Sequence, residues 1–392
     1  MDHKNKKIKV VIGSVYPYDE SKIKGGVEAV ALYLVSALSK HEELEIHVVS
    51  CTTDIEYDKV EKRGKVICHW ISTKPNFYLL RLLFINQYKV KKEYDKIQPD
   101  IVHAQGFSEY ALAKSKKIPL LLSIHGIEVY SPKGKKLKSF SGLVGNYRKI
   151  FSKYIAKLCI QKSNGIVSNG GDYIPSILNN IISTRKIYQI FNPISPDFFD
   201  HYKTSNSKRT LLWVGNITER KNILDLVKVM EIVVQNIPDS KLVLVGRISD
   251  HDYFNRMELE IRNRNLTKKI IIKGQVEQKD LIEIYQTSSI FLLTSIEETA
   301  PMVVAQALAS GLPVVATKVG GIPWMIDHGE TGFVAELGEI NKFAEYVLTI
   351  INNEELMEKM KINAFITANN LFYPSSVAIN TLNAYKELIN IG

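Results

Sequence analysis

Cysteine is scarce in this 392-residue chain, and its three cysteines, Cys51, Cys68 and Cys159, stand far apart. They form no Cys-x-x-Cys pair, so the pattern disfavours a disulfide framework and a zinc site and fits a reducing compartment. No apolar run approaches the roughly 18 residues that a membrane-spanning helix needs, and the first residues lack the core of a signal peptide. The composition therefore predicts a cytoplasmic protein.

Acidic residues are absent from Val129 to Gly171, a stretch that contains nine lysines and arginines interleaved with aromatic residues. Residues 1–200 hold 31 basic and 19 acidic side chains, a net charge of +12, whereas residues 201–392 hold 20 and 22, a net charge of −2. The basic residues between 133 and 162 predict a peripheral contact with an anionic membrane surface, and a merely solvated face is the alternative. No nucleic-acid recognition motif accompanies this charge, so nucleic acid is not an expected partner.

Short apolar runs alternate with helical patterns along the whole chain, in two series. The predicted strands are Lys9–Val15, Glu45–Cys51, Val66–Ile71, Ile101–His103, Leu120–Ile124, Gly165–Ser168 and Ile187–Phe191, then Thr210–Val214, Lys241–Val245, Ile270–Lys273, Ile290–Leu293 and Pro313–Ala316. Such alternation builds parallel sheets that are covered by helices on both faces. Two series in one chain predict two α/β domains of the Rossmann type.

The polar segment Asp200–Arg209 has no apolar periodicity and is the expected linker. It gives a first domain at residues 1–200 and a second at residues 208–373. A final helix at residues 374–392 begins at Pro374, a residue suited to a first helical turn. We expect this helix to pack back toward the first domain, and ligands to bind where the two domains face each other, beyond the carboxyl ends of the strands.

Several residues of the first half stand where such ligands would bind. Gly25 and Gly26 precede an amphipathic helix, where bare backbone N–H groups would face an anion. His103 and His125 stand at the ends of two neighbouring predicted strands, and His125 could hydrogen-bond a sugar or phosphate oxygen with either ring nitrogen. Metal ligation is not expected, because no third ligand of suitable type lies nearby in the sequence.

The second half offers cations and another helix start. Arg220 and Lys221 stand at the beginning of a predicted helix, where an unpaired cation opposes the helix dipole and a phosphate would remove that penalty. An exposed pair of basic residues is the alternative. Pro301 begins a further helix whose first N–H groups belong to Met302 and Val303, a second site suited to an anion.

Eight segments together resemble the retaining glycosyltransferases of family 4, which have the GT-B fold of two facing Rossmann-like domains with a deep cleft between them. In chain order these segments are GGVE, DIVHAQG, SIHG, FNPIS, WVGNITERK, EETAPMVVAQALASGLPVVAT, VGGIP and HGETGFV. The resemblance implies transfer of a sugar from a UDP- or GDP-sugar to an acceptor, with retention of the anomeric configuration and without a metal or other cofactor. It also favours an acceptor that is a sugar or a lipid-linked sugar, in the biosynthesis of a cell-surface or lipid-linked polysaccharide.

The resemblance also implies residue roles. His125 would contact the donor sugar, Lys221 would neutralise the leaving diphosphate, and Glu298 would bind donor-sugar hydroxyls. The remaining donor-binding positions would be Gly25, Gly26, Asn216, Arg220, Thr299, Met302, Val303 and Gln306. On the acceptor side, His103 and Phe107 are the implied contacts.

The sequence departs from the family pattern in four places, one of which is a run of three residues. Asn216 replaces an arginine, Gln306 replaces a glutamate, Trp324 replaces an acidic residue, and Thr299-Ala300-Pro301 replaces Gly-Phe-Gly. We therefore keep two alternatives to an active transferase, namely a non-catalytic carbohydrate-binding or scaffold protein and, with less support, a nucleotide-sugar 2-epimerase.

Overall fold

The structure is a computed structural model that describes residues 7–74, 81–115, 117–127, 140–182, 185–200 and 209–391. The chain forms two compact units. Unit 1 comprises Met1–Pro193 with Pro374–Gly392, and unit 2 comprises Ile194–Tyr373. The segment Ile194–Asp200, which the sequence prediction placed in the first domain, belongs to unit 2. Most of the predicted linker, residues 201–208, lies outside the described residues.

Unit 1 contains eight strands among its described residues. They are β1 (Ile8–Gly13), β2 (Leu44–Thr52), β3 (Lys59–Arg63), β4 (Val66–Ser72), β5 (Ile101–Gln105), β6 (Leu120–Ile124), β7 (Gly165–Ser168) and β8 (Lys186–Gln189). The helices are α1 (Gly26–Leu38), α2 (Asn86–Ile97), α3 (Glu109–Leu112), α4 (Phe140–Lys162), α5 (Tyr173–Ile182) and, from the end of the chain, α12 (Pro374–Ile391). A short π-helix, Arg81–Ile85, leads into α2.

These strands form one sheet in the order β3-β4-β2-β1-β5-β6-β7-β8. All neighbours are parallel except β3, which pairs antiparallel to β4 with Lys59 opposite Trp70. The sequence prediction omitted β3 because its residues, KVEKR, are mostly charged. That composition suits an exposed edge strand, where charge discourages pairing with another chain.

Helices cover both faces of this sheet. On one face α1 and α12 pack together, and α12 contributes Val377, Leu382, Tyr385 and Leu388 to the core. On the other face α2, α4 and α5 bury residues such as Val90, Ile160 and Leu178. The last helix of the chain is therefore part of the core of unit 1, although 180 residues of unit 2 precede it in the sequence.

Unit 2 has the same layered design. Its strands are β9 (Thr210–Val214), β10 (Lys241–Val245), β11 (Ile270–Gly274), β12 (Ile290–Leu293), β13 (Val314–Thr317) and β14 (Gly332–Ala335). Its helices are α6 (Ile223–Asn236), α7 (His251–Asn263), α8 (Gln278–Thr287), α9 (Met302–Ala309), α10 (Ile340–Asn352) and α11 (Glu354–Phe372). The strand order is β11-β10-β9-β12-β13-β14, and every pair is parallel.

The central strands of unit 2 are fully apolar and buried, as parallel strands covered on both faces should be. Every residue of β12 and of Leu211–Trp213 in β9 is 0% exposed. The prediction of two α/β domains with parallel sheets is confirmed, with β3 as the antiparallel exception and β14 as a strand that the prediction omitted. Among the described residues, no helix is both long and apolar enough to cross a membrane.

Candidate active site

Two loops at the carboxyl edge of the second sheet bring Lys221 and Glu298 together. After β9 the chain makes a short 3₁₀ turn, Glu219–Lys221, before α6 begins. Asn222 then adopts a left-handed conformation, with φ of 50°, which asparagine tolerates better than most residues. The loop after β12 is tied to this turn, because the amide of Ile296 donates to the carbonyl of Arg220 at 2.9 Å.

The resulting side-chain cluster contains two cations and one carboxylate. Nζ of Lys221 donates to Oε1 of Glu298 at 2.5 Å, and Nη1 of Arg220 lies 3.3 Å from Oε2 of the same carboxylate. Lys221 and Glu298 are buried, with 8% and 6% of their surfaces exposed, whereas Arg220 is exposed. The cluster carries a formal net charge of +1, so it can attract an anion.

The beginning of α9 lies close to Glu298 in the sequence and adds backbone donors. Pro301 is the N-cap residue, so Met302 and Val303 present the first amides of the helix, as predicted. The partial positive charge of these amides favours an anion beside them. Gln306, one turn further on, accepts a 3.3 Å hydrogen bond at Oε1 from the hydroxyl of the buried Tyr285.

Two other predicted donor-binding residues of unit 2 are accessible. Asn216 is exposed directly after β9, and Thr299 is half-buried beside Glu298. The backbones at Gly215 and Gly246 pass so close that a Cβ on Gly246 would lie 1.9 Å from the carbonyl oxygen of Gly215. Glycine at position 246, with φ of 141°, is therefore what allows the loops after β9 and β10 to touch.

In unit 1, His125 follows β6 and is half-buried. Its Nε2 lies 2.5 Å from Oε1 of Gln105, the last residue of the neighbouring strand β5. Burial lowers the pKa of His125 from 6.5 to about 4, although a hydrogen bond with the Asn192 side chain opposes this shift. The ring is therefore neutral at physiological pH, with a proton on only one of its nitrogens.

The structure gives His103 a different place from the predicted acceptor contact. It is 1% exposed, and its nitrogens contact Oη of Tyr385 and Oγ of Ser123, each at 2.7 Å. No acceptor could reach a ring enclosed in this way; only Gln105, 3.1 Å from its Nε2, connects it with His125. Phe107, the other predicted acceptor contact, is half-buried and packs partly against the core of unit 1.

The glycine pair of unit 1 opens α1 as expected. Gly25 is the N-cap residue and Gly26 the first residue of α1, and both are exposed. The carboxylate of Glu28 folds back and accepts a hydrogen bond from the amide of Lys24 at 2.5 Å. This capping contact fixes the turn that precedes the helix.

The sequence prediction missed three polar side chains of this region. Gln105 has the same strand face as His103, two residues away, so period-two alternation could have identified it. Asn192 belongs to the FNPIS segment but received no role. Asn169 follows β7 and is 2% exposed, and among the described residues neither atom of its side-chain amide has a hydrogen-bond partner. A buried amide without partners is costly, which marks Asn169 as a position for a ligand or a water.

The predicted basic membrane contact falls largely outside the described side chains. Of its residues, Lys153, Lys157 and Lys162 are described on α4, and the rest are not. Lys162 is engaged by the protein, since its Nζ donates to the carbonyl oxygen of Leu112. Across the described residues, no three side chains of His, Cys, Asp or Glu are grouped so that they could hold a metal ion.

Comparison with known proteins identifies the family. A family model described as Glycosyltransferase Family 4 matches residues 24–198, and one described as Glycosyl transferases group 1 matches residues 195–366. The two matches together run through both units. The chain belongs to glycosyltransferase family 4. The expected family and the GT-B fold are thereby confirmed.

Relatives and solved structures agree with this assignment. Over 159 residues the glycosyltransferase is 31% identical to N-acetyl-alpha-D-glucosaminyl L-malate synthase of Bacillus anthracis, a match that spans 41% of this chain and 40% of that relative. It is 25% identical over 302 residues to UDP-Gal:alpha-D-GlcNAc-diphosphoundecaprenol alpha-1,3-galactosyltransferase of Escherichia coli, covering 73% and 75% of the two chains. Anabaena HepE, solved in complex with UDP, superposes with a TM-score of 0.71 at 17% identity, over 97% of this chain and 100% of that one.

Proposed function

We propose that this glycosyltransferase moves a hexose from a nucleotide-sugar donor to a sugar acceptor with retention of the anomeric configuration. The observation that carries the proposal is the buried contact between Lys221 and Glu298 beside the N-terminus of α9. A nucleoside diphosphate is bound by cationic groups and N–H donors, and a sugar ring is bound by groups that accept hydrogen bonds from its hydroxyls. This cluster supplies both kinds of group within one loop pair.

Departure of the nucleoside diphosphate places negative charge on its phosphate oxygens. Lys221, Arg220 and the first amides of α9 are fixed before the reaction, so they stabilise this charge with little reorganisation. They take the part that a divalent cation plays in other transferases, and we propose that no metal takes part. Glu298 binds hydroxyls of the donor sugar, and Gln306 binds a hydroxyl of the ribose.

We propose that the acceptor hydroxyl attacks the anomeric carbon from the same face from which the phosphate leaves, so that the anomeric configuration is retained. The acceptor hydroxyl then loses its proton to the departing phosphate, and His125 binds the donor sugar near the reacting carbon. The neutral state of His125 supports this role, because an uncharged ring adds no positive charge beside a carbon that itself becomes positive.

Two similarities guide the choice of donor and acceptor. The E. coli relative is named as a UDP-galactose enzyme that acts on a diphosphoundecaprenol-linked sugar, and HepE was solved with UDP. We propose UDP-sugars before GDP-sugars as donors, and a lipid-linked sugar as the acceptor, in cell-surface polysaccharide biosynthesis.

Binding and turnover test this assignment together. UDP-sugars and GDP-sugars are titrated by calorimetry against the wild type, the double variant Lys221→Met/Glu298→Gln and the control Lys228→Ala. The double variant removes both buried charges at once and so leaves neither unpaired. Lys228 serves as the control because it lies on α6, outside the cluster, and pairs with Asp225 at 3.0 Å. Donor binding that survives only in the wild type and the control supports the proposal.

Product analysis separates the alternative functions. Proton NMR of the product gives the anomeric configuration, and inversion would overturn the retaining mechanism. Binding without turnover against any acceptor would favour the scaffold protein, and an epimerised free nucleotide sugar would identify the epimerase. Turnover that persists in excess EDTA supports metal independence, whereas loss that is restored by added Mg²⁺ contradicts it.

A groove on unit 1 supports peripheral attachment to the inner face of the cell membrane. It has a volume of about 590 Å³ and lies between α2 and the strands β3 and β4. Large apolar side chains are exposed in it: Phe84 (63%), Tyr88 (70%) and Val60 (61%). Four lysines, at positions 59, 89, 92 and 96, line the same groove with two acids, Asp58 and Glu93. Apolar residues beside excess lysine suit the boundary between acyl chains and anionic headgroups.

Vesicle sedimentation tests this attachment. Vesicles with phosphatidylglycerol are compared with vesicles of phosphatidylcholine alone, for the wild type, Phe84→Ser/Tyr88→Ser and Ile379→Ser. Ile379 is 50% exposed on α12, so its replacement removes exposed apolar surface outside the groove. Salt-sensitive binding to the anionic vesicles that only the groove variant loses supports the attachment. Equal loss in both variants, or no binding by the wild type, contradicts it.

A further inference from the structure

A chain of buried hydrogen bonds connects the last helix with His125. Oη of Tyr385, on α12, lies 2.7 Å from Nδ1 of His103. Nε2 of His103 lies 3.1 Å from the amide nitrogen of Gln105, and the amide oxygen of Gln105 lies 2.5 Å from Nε2 of His125. Tyr385, His103 and Gln105 are 0%, 1% and 4% exposed, so water does not replace the contacts among these three residues.

Each contact restricts where the protons are. The amide nitrogen of Gln105 only donates, so it needs an unprotonated Nε2 on His103. The amide oxygen only accepts, so it needs a proton on Nε2 of His125. Burial lowers the pKa of His103 to about 3, which keeps its ring neutral. Its single proton must therefore be on Nδ1, where it is donated to the hydroxyl oxygen of Tyr385.

These hydrogen bonds have one other arrangement of protons in which every donor faces an acceptor. If the Gln105 amide turns over, Nε2 of His103 carries the proton, and His125 carries its own on Nδ1. The Tyr385 hydroxyl then donates instead of accepting. Any mixture of the two arrangements sets two donors or two acceptors against each other, which is unfavourable in a buried site. The tautomers of His103 and His125 are thus coupled through Gln105.

We propose that Gln105 and Tyr385 are positioning residues that hold His125 as the tautomer protonated at Nε2, leaving Nδ1 for its other hydrogen-bond partners, the Asn192 side chain among them. The link to catalysis rests on the proposed function, in which His125 binds the donor sugar. In that role Nδ1 accepts a hydrogen bond from a hydroxyl of the sugar, whereas the other tautomer would present a donor to the same hydroxyl. A hydroxyl on the last helix of the chain thus sets the hydrogen-bonding character of the proposed site.

Removing the Tyr385 hydroxyl should reverse the direction of donation along these hydrogen bonds. In Tyr385→Phe a proton on Nδ1 of His103 would be buried without an acceptor, which is costly. A proton on Nε2 still has an acceptor, because Oγ of Ser123 lies 2.7 Å away. His103 should therefore move its proton to Nε2, the Gln105 amide should turn over, and His125 should become protonated at Nδ1.

Nitrogen-15 NMR of the full chain with labelled histidine measures these tautomers directly. His125 is assigned from the signals that disappear in His125→Gln. We expect the wild type to show a proton on Nε2 of His125 and Tyr385→Phe to show it on Nδ1. The matched control is Tyr188→Phe, since the Tyr188 hydroxyl is buried in unit 1 and has no hydrogen-bond partner in the part of the chain that the structure describes. A proton on Nδ1 in the wild type, no change in Tyr385→Phe, or the same change in Tyr188→Phe would overturn the proposal.

The Gln105→Leu variant tests whether the signal passes through Gln105. In that background the two histidines have no link, so adding Tyr385→Phe should alter His103 and leave His125 unchanged. A change at His125 of the same size in both backgrounds would contradict the relay. These spectra need no substrate, so a failure of the proposed transferase activity leaves the tautomer result standing. If the chain does transfer sugar, Tyr385→Phe should lower kcat and Tyr188→Phe should not.

Discussion

Lys221 and Glu298 form a 2.5 Å ion pair in a buried position of unit 2, 77 residues apart in the sequence. Glu298 also forms an ion pair with Arg220, whose Nη1 is 3.3 Å from the second carboxylate oxygen. The two cations proposed for the diphosphate are thus already neutralised in part by the residue proposed for the sugar. Stability and ligand affinity are therefore linked at this contact.

Loss of the Glu298 carboxylate should destabilise unit 2. Glu298→Ala leaves the ammonium group of Lys221 buried without its partner, which typically costs about 3–5 kcal/mol. Urea denaturation of the wild type and the variant measures this difference. Glu336→Ala is the control, because Glu336 pairs with Lys318 at 2.8 Å but is 59% exposed, and such pairs contribute about 0–1 kcal/mol. Similar decreases in the free energy of unfolding in the two variants would show that the buried pair contributes no more stability than the exposed pair.

Glu298→Gln should bind a free nucleoside diphosphate more tightly than the wild type does. The substitution removes the negative charge that competes for Lys221 and keeps an oxygen that can accept its hydrogen bond. Transfer from the complete nucleotide-sugar should slow, because the proposed sugar contact is weakened. Calorimetry with UDP and GDP, compared with initial rates, measures both effects. Weaker binding of the diphosphate in the variant would contradict competition between the carboxylate and the ligand.

Acid should destabilise unit 1 through its buried histidines. Burial lowers the pKa of His103 to about 3 and that of His125 to about 4, from 6.5 in each case. As the pH falls below 6.5, the unfolded chain binds protons on these rings and the folded chain does not. The free energy of unfolding should therefore be at its full value above pH 6.5 and decrease toward pH 4.

Denaturant titrations between pH 7.5 and 4.5 measure that decrease. His103→Gln should show a shallower dependence on pH over this window, since the ring with the larger shift is gone. The exposed His251, which opens α7, supplies the control His251→Gln. If all three proteins lose stability with the same slope, the buried rings are not responsible for the acid sensitivity.

Asn169→Leu should raise stability and lower ligand affinity. Replacing a buried amide whose nitrogen and oxygen have no partners removes an unfavourable desolvation term, and leucine has a similar size. Thermal melts with and without a saturating nucleotide-sugar measure both effects. We expect a higher melting temperature without ligand and a smaller ligand-induced increase. A destabilised variant with unchanged ligand response would instead assign Asn169 a packing role.

Part of the fold follows from local sequence patterns. The buried parallel strands are short, largely apolar runs, and β6, β9 and β12 coincide with their predicted bounds. The edge strand β3 does not show this pattern, because its exposed residues are charged. Strand β5 extends two residues beyond its predicted end at His103, to Gln105. Such boundaries depend on neighbouring elements, and apolar periodicity does not report them.

The candidate site likewise contains residues that the sequence pointed to and residues whose surroundings only the structure shows. The basic pair at a helix start pointed to Lys221, and the family resemblance pointed to Glu298; the structure brings these two side chains together. Glycines and a strand-end position pointed to His125. The same strand-end signal also selected His103, whose ring is enclosed in the core of unit 1. Sequence position gives the end of a strand on which a residue lies, but not what packs over it.

The sequence by itself determined the two α/β units, the family and the loops that carry the charged residues, because periodicity and motif spacing are properties of short segments. The tertiary structure decided which of these residues meet. Only the packing of α12 onto unit 1 brings Tyr385 to His103 across 282 residues, and only the paired loops of unit 2 join Lys221 to Glu298. Contacts of that range depend on how whole elements pack, since each side chain meets its partner only after both sheets and their helices have formed.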